Sequence, residues 1–221
     1  MKINHKPYTH ISFDLWLTLI KSHPEFKSRR NLLFRDFFQI NAPIENVTQV
    51  IRYYDVLCNN MNEKTGLNIN TYEIYYLILN RLAVDISEVT ITQLDQFYQE
   101  TESLFFAYKP HLMFPDIHRL FDEVKSENKT MNILSNTGFI KGRTLRKLIT
   151  DYGFENHFDF QIYSDEVGFS KPNFKIFKLV EDQININRNL EQREVVHVGD
   201  NVIADYNGAK SYGFDAILLN I

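Results

Sequence analysis

Asp14 closes a short apolar run, residues 11–13, and Thr18 follows it four positions later. Ser135 and Asn136 close a second run, 131–134, and Lys171 stands before Pro172 in the stretch after a third, 160–163. Asp200 comes after the run 195–198 and Gly199, with Asp205 five residues further on. A carboxylate can act as a nucleophile, a lysine can neutralise charge, a hydroxyl can donate to an oxyanion, and hard oxygens suit Mg²⁺. Such a set fits phosphoryl chemistry. One position is discordant: two residues after Asp14, where a second carboxylate would complete an acid/base pair, stands Trp16.

These side chains can meet only if the apolar runs are neighbouring strands. The runs at 11–13, 131–134, 160–163, 195–198 and 216–219 alternate, after Pro110, with helical patterns. Pro115 opens one helix through Val124, 140–152 is a second stopped by Gly153, Pro172 starts a third to about Gln183, and 203–212 is a fourth before Gly213. Continuous apolar strands alternating with helices predict a parallel sheet covered on both faces. Ligands of such sheets bind outside the carboxyl ends of the strands, and the polar residues above fall there. Between Phe26 and Tyr108 the rhythm is helical throughout. Leu33, Phe34, Phe37 and Phe38 begin it, Val47, Val50, Ile51 and Tyr54 continue it, and sets around Tyr75 and Phe97 complete four amphipathic helices. Thr71 and Ser87 are the expected N-caps of the last two. The expected fold class is α/β: a Rossmann-like parallel sheet core, residues 1–22 and 109–221, with an α-helical bundle, 23–108, inserted after the first strand.

Bulk properties narrow the function. The chain has 221 residues, 44% hydrophobic and 24% charged, with a net charge of −4. No basic stripe calls for nucleic acid, and no run reaches the 18 or so apolar residues of a membrane helix. The N-terminus carries no signal-peptide pattern, and Cys58 is the sole cysteine, so the expectation is a cytoplasmic protein with a small-molecule substrate. The seven histidines show no zinc-ligand spacing.

Four motifs, FDLWLTL, ILSNT, FSKP and VGDNVIAD, occur in this order at the expected strand ends. On these the chain resembles the haloacid dehalogenase-like (HAD) hydrolase superfamily. Segments 8–22 and 110–221 are matched, and 23–109 stands where that family places a helical cap of its first type. The resemblance implies a HAD-like core and these roles. Asp14 would be the nucleophile and Thr18 would orient its loop. Ser135 would donate to a phosphoryl oxygen with Asn136 beside it, and Lys171 would neutralise charge and position Asp14. Mg²⁺ would be held by Asp14, the backbone carbonyl of Trp16 and Asp200, with Asp205 supporting those ligands from behind.

Family phosphatases usually carry a second aspartate where Trp16 stands. Indole has no titratable proton in the useful range, and loss of a general acid/base forfeits about 10²–10⁴ in rate. Three readings follow. The first is a phosphohydrolase whose leaving group needs little help, or whose acid comes from His23 or a cap side chain. The second is a 2-haloacid dehalogenase-type carbon–halogen hydrolase, in which an aromatic residue is expected here and Arg52 or Arg29 would serve from the cap. The third is a weak or inactive phosphate-binding protein that keeps the fold.

Overall fold

The computed structural model describes residues 1, 3–186 and 190–219. Its centre is a five-stranded sheet in the order β5-β4-β1-β6-β7. The strands are β1 (His10–Phe13), β4 (Thr130–Ser135), β5 (Phe160–Tyr163), β6 (Val195–Gly199) and β7 (Asp215–Leu218). All four pairings are parallel, so every strand presents its carboxyl end at the same edge. Alternation along the strands builds two cores. Ile11, Phe13, Met131 and Ile133 pack on one face with α5 (Ile117–Ser126) and α6 (Gly142–Asp151). Leu134, Ile162 and Val195 pack on the other with α8 (Phe174–Asn185) and α9 (Gly208–Tyr212).

The central strands are not wholly apolar. His10, Ser12, Asn132 and His197 are buried. Burial of unpaired polar groups would cost stability, and here neighbouring strands satisfy all but the Asn132 Nδ2, which has no partner among the described residues. His10 bonds Thr130 and Asn132 at 2.7 and 2.8 Å, and His197 bonds Ser12 at 3.0 Å.

Between β1 and α5 the chain makes a two-stranded antiparallel ribbon and four helices. The ribbon pairs β2 (Ile20–Lys21) with β3 (His111–Leu112), so the entry and exit of the helical segment lie side by side. The helices are α1 (Phe26–Phe37), α2 (Ile44–Thr65), α3 (Thr71–Arg81) and α4 (Ile91–Ala107). Their aromatic core brings Phe34, Tyr75 and Phe97 within 5.9 Å of one another, ring centre to ring centre. Phe139, from the loop after β4, is buried in that same core. The bundle is therefore plugged by the sheet's own loop. Thr71 Oγ1 donating to the Gly138 carbonyl at 2.7 Å and Tyr98 Oη sharing a hydrogen with Thr144 Oγ1 at 2.6 Å hold the same junction.

Several local expectations need correction. The N-caps are Asn70 and Thr90, each in a capping box with Glu73 and Gln93 respectively. Thr71 is instead the first helical residue, and Ser87 turns back on Asp85 three residues before the true cap. The helix expected over 203–212 opens as a π-helical stretch, Val202–Asn207, before α9. A one-turn helix, α7 (Ser164–Val167), follows β5 directly. Among the described residues no helix is long and apolar enough to cross a membrane.

Candidate active site

The carboxyl edge of the sheet gathers the residues singled out above. β1 hands Asp14 to a tight loop in which Leu17 takes φ +60°, a left-handed conformation that costs a branched L-residue about 1 kcal/mol or more. Three backbone bonds hold that loop: Leu17 N–H to Ile20 O, and the Leu19 and Ile20 N–H groups to Leu15 O, at 2.7–3.0 Å. Within it Thr18 is fully buried and donates to Asp14 Oδ2 at 2.9 Å.

Lys171 comes from the loop between α7 and α8 and is 1% exposed. Its ammonium donates to Asp14 Oδ1 at 2.8 Å, to Leu134 O at 2.6 Å, and to Asp205 Oδ1 at 2.7 Å. Asn136 clamps its backbone from both sides, accepting from Lys171 N–H at 2.8 Å and donating to Lys171 O at 3.0 Å. Ser135 sits at the end of β4, fully buried, with its hydroxyl on Asn136 O at 3.2 Å. Donating to a substrate would require that hydroxyl to rotate.

Asp205 has both oxygens engaged. Oδ1 takes Lys171 and His197 Nε2, the latter at 3.1 Å, and Oδ2 takes the Asn201 N–H at 3.0 Å. It faces Asp200, which follows β6, across a very close backbone. A Cβ built on Gly199 would lie 2.2 Å from Asp205 Oδ2, so only glycine fits there. His197, not singled out from the sequence as a site residue, bridges Ser12 and Asp205. A histidine inside an otherwise apolar strand was the signal.

The charges are strongly coupled. Burial pushes Asp14 up to about 7 against the pull of Lys171, with Asp205 adding repulsion. Burial also acts on Asp205, but Lys171 and His197 outweigh it and hold that carboxyl well below the usual range. Burial would lower Lys171; Asp14 and Asp205 win and hold it above its ordinary value. Burial and then Asp205 raise Asp200. Burial and then Lys171 lower His197, which keeps the ring neutral.

One carboxylate oxygen each of Asp14, Asp200 and Asp205 lie within 4.8 Å of one another. With all three carboxylates ionised, as a bound cation would favour, one ammonium leaves two negative charges for a divalent ion to balance, and an all-oxygen donor set suits a hard ion. Asp205 already takes three protein donors against two at Asp14, so Asp14 and Asp200 are the carboxylates that fit direct ligation.

These groups open into a cavity of about 410 Å³ between the sheet edge and the bundle. Asp14, Trp16, Lys171 and Asp200 line it from the sheet side, and Phe26, Arg30, Arg52 and Asp55 from the bundle. The Trp16 ring stands edge-on to Phe105 at 6.4 Å, a half-buried wall. His23 packs instead against Tyr108 and His111 at 5.3 and 5.1 Å and does not line the cavity. Arg29 is likewise turned away, over Tyr108 and onto Glu25.

A carboxylate at the end of a central parallel strand, a buried lysine and a neighbouring acidic pair under a helical insertion define a hydrolase of the α/β class. Residues 8–213 match the family model for haloacid dehalogenase-like hydrolases, and the chain belongs to that family. It is 36% identical over 107 residues to glyceraldehyde 3-phosphate phosphatase of Methanothermobacter thermautotrophicus, covering 48% of this chain and 44% of that protein. It is 32% identical over 77 residues to haloacid dehalogenase-like hydrolase domain-containing protein 3 of Mus musculus, covering 35% of this chain and 29% of that one. Both relatives are thus matched over less than half their length. Among solved structures, a HAD phosphatase from Thermococcus onnurineus superposes with a TM-score of 0.67 at 17% identity, covering 96% of this chain and 86% of that one. A 2-haloacid dehalogenase from Pseudomonas syringae pv. Tomato DC3000 gives 0.65 at 18%, with the same coverages. These two likenesses concern the fold.

Proposed function

We propose that this chain is a Mg²⁺-dependent phosphohydrolase that cleaves a small phosphorylated metabolite through an ester on Asp14. The observation that carries the reading is the placement of Lys171 between Asp14 and Asp205, at 2.8 and 2.7 Å, with Asp200 in the same oxygen cluster. Thr18 and Lys171 each hold one oxygen of Asp14 and so aim the carboxylate into the cavity. Asp14 attacks phosphorus, the leaving oxygen departs with the electrons of the broken P–O bond, and water then cleaves the acyl phosphate. A divalent ion bound by Asp14, Asp200 and the Trp16 carbonyl would supply charge neutralisation at the phosphoryl oxygens. Asp205 keeps Lys171 charged and in register. The bundle, residues 23–108, acts as a cap over a core of 1–22 and 109–221, excluding water once substrate is in place. A buried free thiol, Cys58, suits a cytoplasmic setting.

Trp16 supplies no proton. The charged groups of the bundle that reach the cavity are Lys27, Arg30, Arg52, Asp55 and Glu63; Asp55 is held by Arg52 and Asn59, and Glu63 by Asn201, so the leaving group is one that departs without a proton from the bundle. Carbon–halogen hydrolysis is the second reading, favoured by the indole wall and by Arg52 at the cavity; the negative charge that Asp200 adds beside Asp14 opposes it, since a departing halide gains nothing from it.

The test is a panel of phosphate esters and 2-haloacids assayed with Mg²⁺ and with chelator. Metal-dependent phosphate release that Asp14→Asn abolishes is expected, and Trp16→Asp should raise it by about 10-fold or more. Metal-independent halide release would establish the second reading. Neither product would reject both.

A further inference from the structure

One buried charge has no part in that chemistry. Phe26, Arg30 and Phe34 recur every fourth residue on the inner face of α1, and Arg30 is 6% exposed. Its Nε and Nη2 converge on a single acceptor, Asn31 Oδ1, at 3.3 and 3.0 Å. The guanidinium lies 4.2 Å over the Phe139 ring. Among the described residues Arg30 forms no ion pair and its Nη1 makes no hydrogen bond. The more accessible arginines of α1 and α2, Arg29, Arg35 and Arg52, all pair with carboxylates. Asp55 is the carboxylate that Arg30 feels most, but its oxygens are spent on Arg52 and Asn59.

A buried charge without an ion-pair partner is costly, and one amide oxygen and one ring face compensate it only in part. Arg30 lines the cavity, as does Lys27 one turn earlier, which is exposed and unpaired among the described residues. Phe139 fixes the guanidinium plane, leaving a free donor edge of the shape that receives a carboxylate or phosphate with two parallel hydrogen bonds.

We infer that Arg30, with Lys27 at the rim, binds a second oxyanionic group of the substrate, remote from the phosphoryl group held at Asp14. The identity of the first group rests on the phosphohydrolase reading; the second site stands on the unpaired guanidinium. The substrate class is a phosphorylated acid or a bisphosphorylated metabolite. A neutral-tailed ester would leave Arg30 buried and unpaired, and is rejected for that reason.

Calorimetric titration with Mg²⁺ present tests this with phosphonates, which are not hydrolysed. The probes are ω-phosphonocarboxylates and α,ω-bisphosphonates of increasing chain length, each against the alkylphosphonate of equal length. For at least one length the wild-type protein should prefer the doubly anionic probe by about 10-fold or more. Arg30→Met should remove the preference while leaving alkylphosphonate affinity within about 2-fold, Arg30→Lys should retain part of it, and Lys27→Gln should weaken it a few-fold. No preference at any length in the wild type overturns the inference, and that arm needs no variant to fold. A preference that survives unchanged in folded Arg30→Met or Arg30→Lys overturns it too. If the preference holds while no ester yields phosphate, the phosphohydrolase reading falls and the anion site remains.

Discussion

Two buried cations face one cavity from opposite sides and are provided for in opposite ways. Lys171, on the sheet side, meets two carboxylates and a carbonyl within 2.8 Å. Arg30, on the bundle side, meets an amide oxygen and an aromatic face. The charge of Lys171 is balanced by the chain itself, so it belongs to folding and to chemistry at once. The charge of Arg30 is balanced by nothing fixed, so its counterpart must be supplied by a ligand. On the proposed reading, reaction belongs to the sheet edge and selection to the bundle.

Removing Lys171 gives the strongest contrast. Lys171→Met leaves Asp14 and Asp205 buried together without a cation and should cost about 3–5 kcal/mol, read by urea denaturation in chelator. Stability equal to wild type would break the comparison on the sheet side. Gly199→Ala comes next: its methyl must displace the Asp205 carboxylate, at about 1–3 kcal/mol, with phosphate release falling as Lys171 loses its anchor. Asp14→Asn should have a smaller effect of opposite sign. The Asp14 carboxyl, ordinarily near 3.8, is raised to about 7. Its contribution to stability is therefore full at acid pH and lost as pH rises through the folded value. In chelator at pH 8 the inactive variant should be more stable than wild type by about 1–2 kcal/mol, a gain that disappears toward pH 4. Arg30→Met should be the mildest, within about 1 kcal/mol in the ligand-free protein, because no internal ion pair is broken. A loss as large as that of Lys171→Met would show that Arg30 is also structural and erase the distinction.

How much was legible in the sequence follows from what kind of signal each feature sends. The five sheet strands are short, mainly apolar runs separated by helical patterns, and the motif segments follow them, so the alternation of strands and helices could be read directly. β2 and β3 have two residues each, too few to show any period. Asn70 was missed as a cap because Thr71 beside it is an equally good capping type, and only geometry shows which oxygen reaches the N–H groups of Tyr72 and Glu73. The polar line through His10, Asn132, Ser12 and His197 depends on register between strands distant in the chain, which no local pattern encodes. Arg30 was visible in principle as a charge on the stripe of Phe26 and Phe34; Arg29, of the same type and next to it, obscured which of the two points inward.

Phe139 leaves the loop that carries Asn136 and ends among Phe34, Tyr75 and Phe97. The segment that grips Lys171 and the helices that contribute Arg30 thus share one hydrophobic anchor. Grafting a foreign set of helices onto this scaffold would leave that ring without a socket. New specificities built on it must therefore exchange the helices and the 137–140 tip together, as one inherited piece.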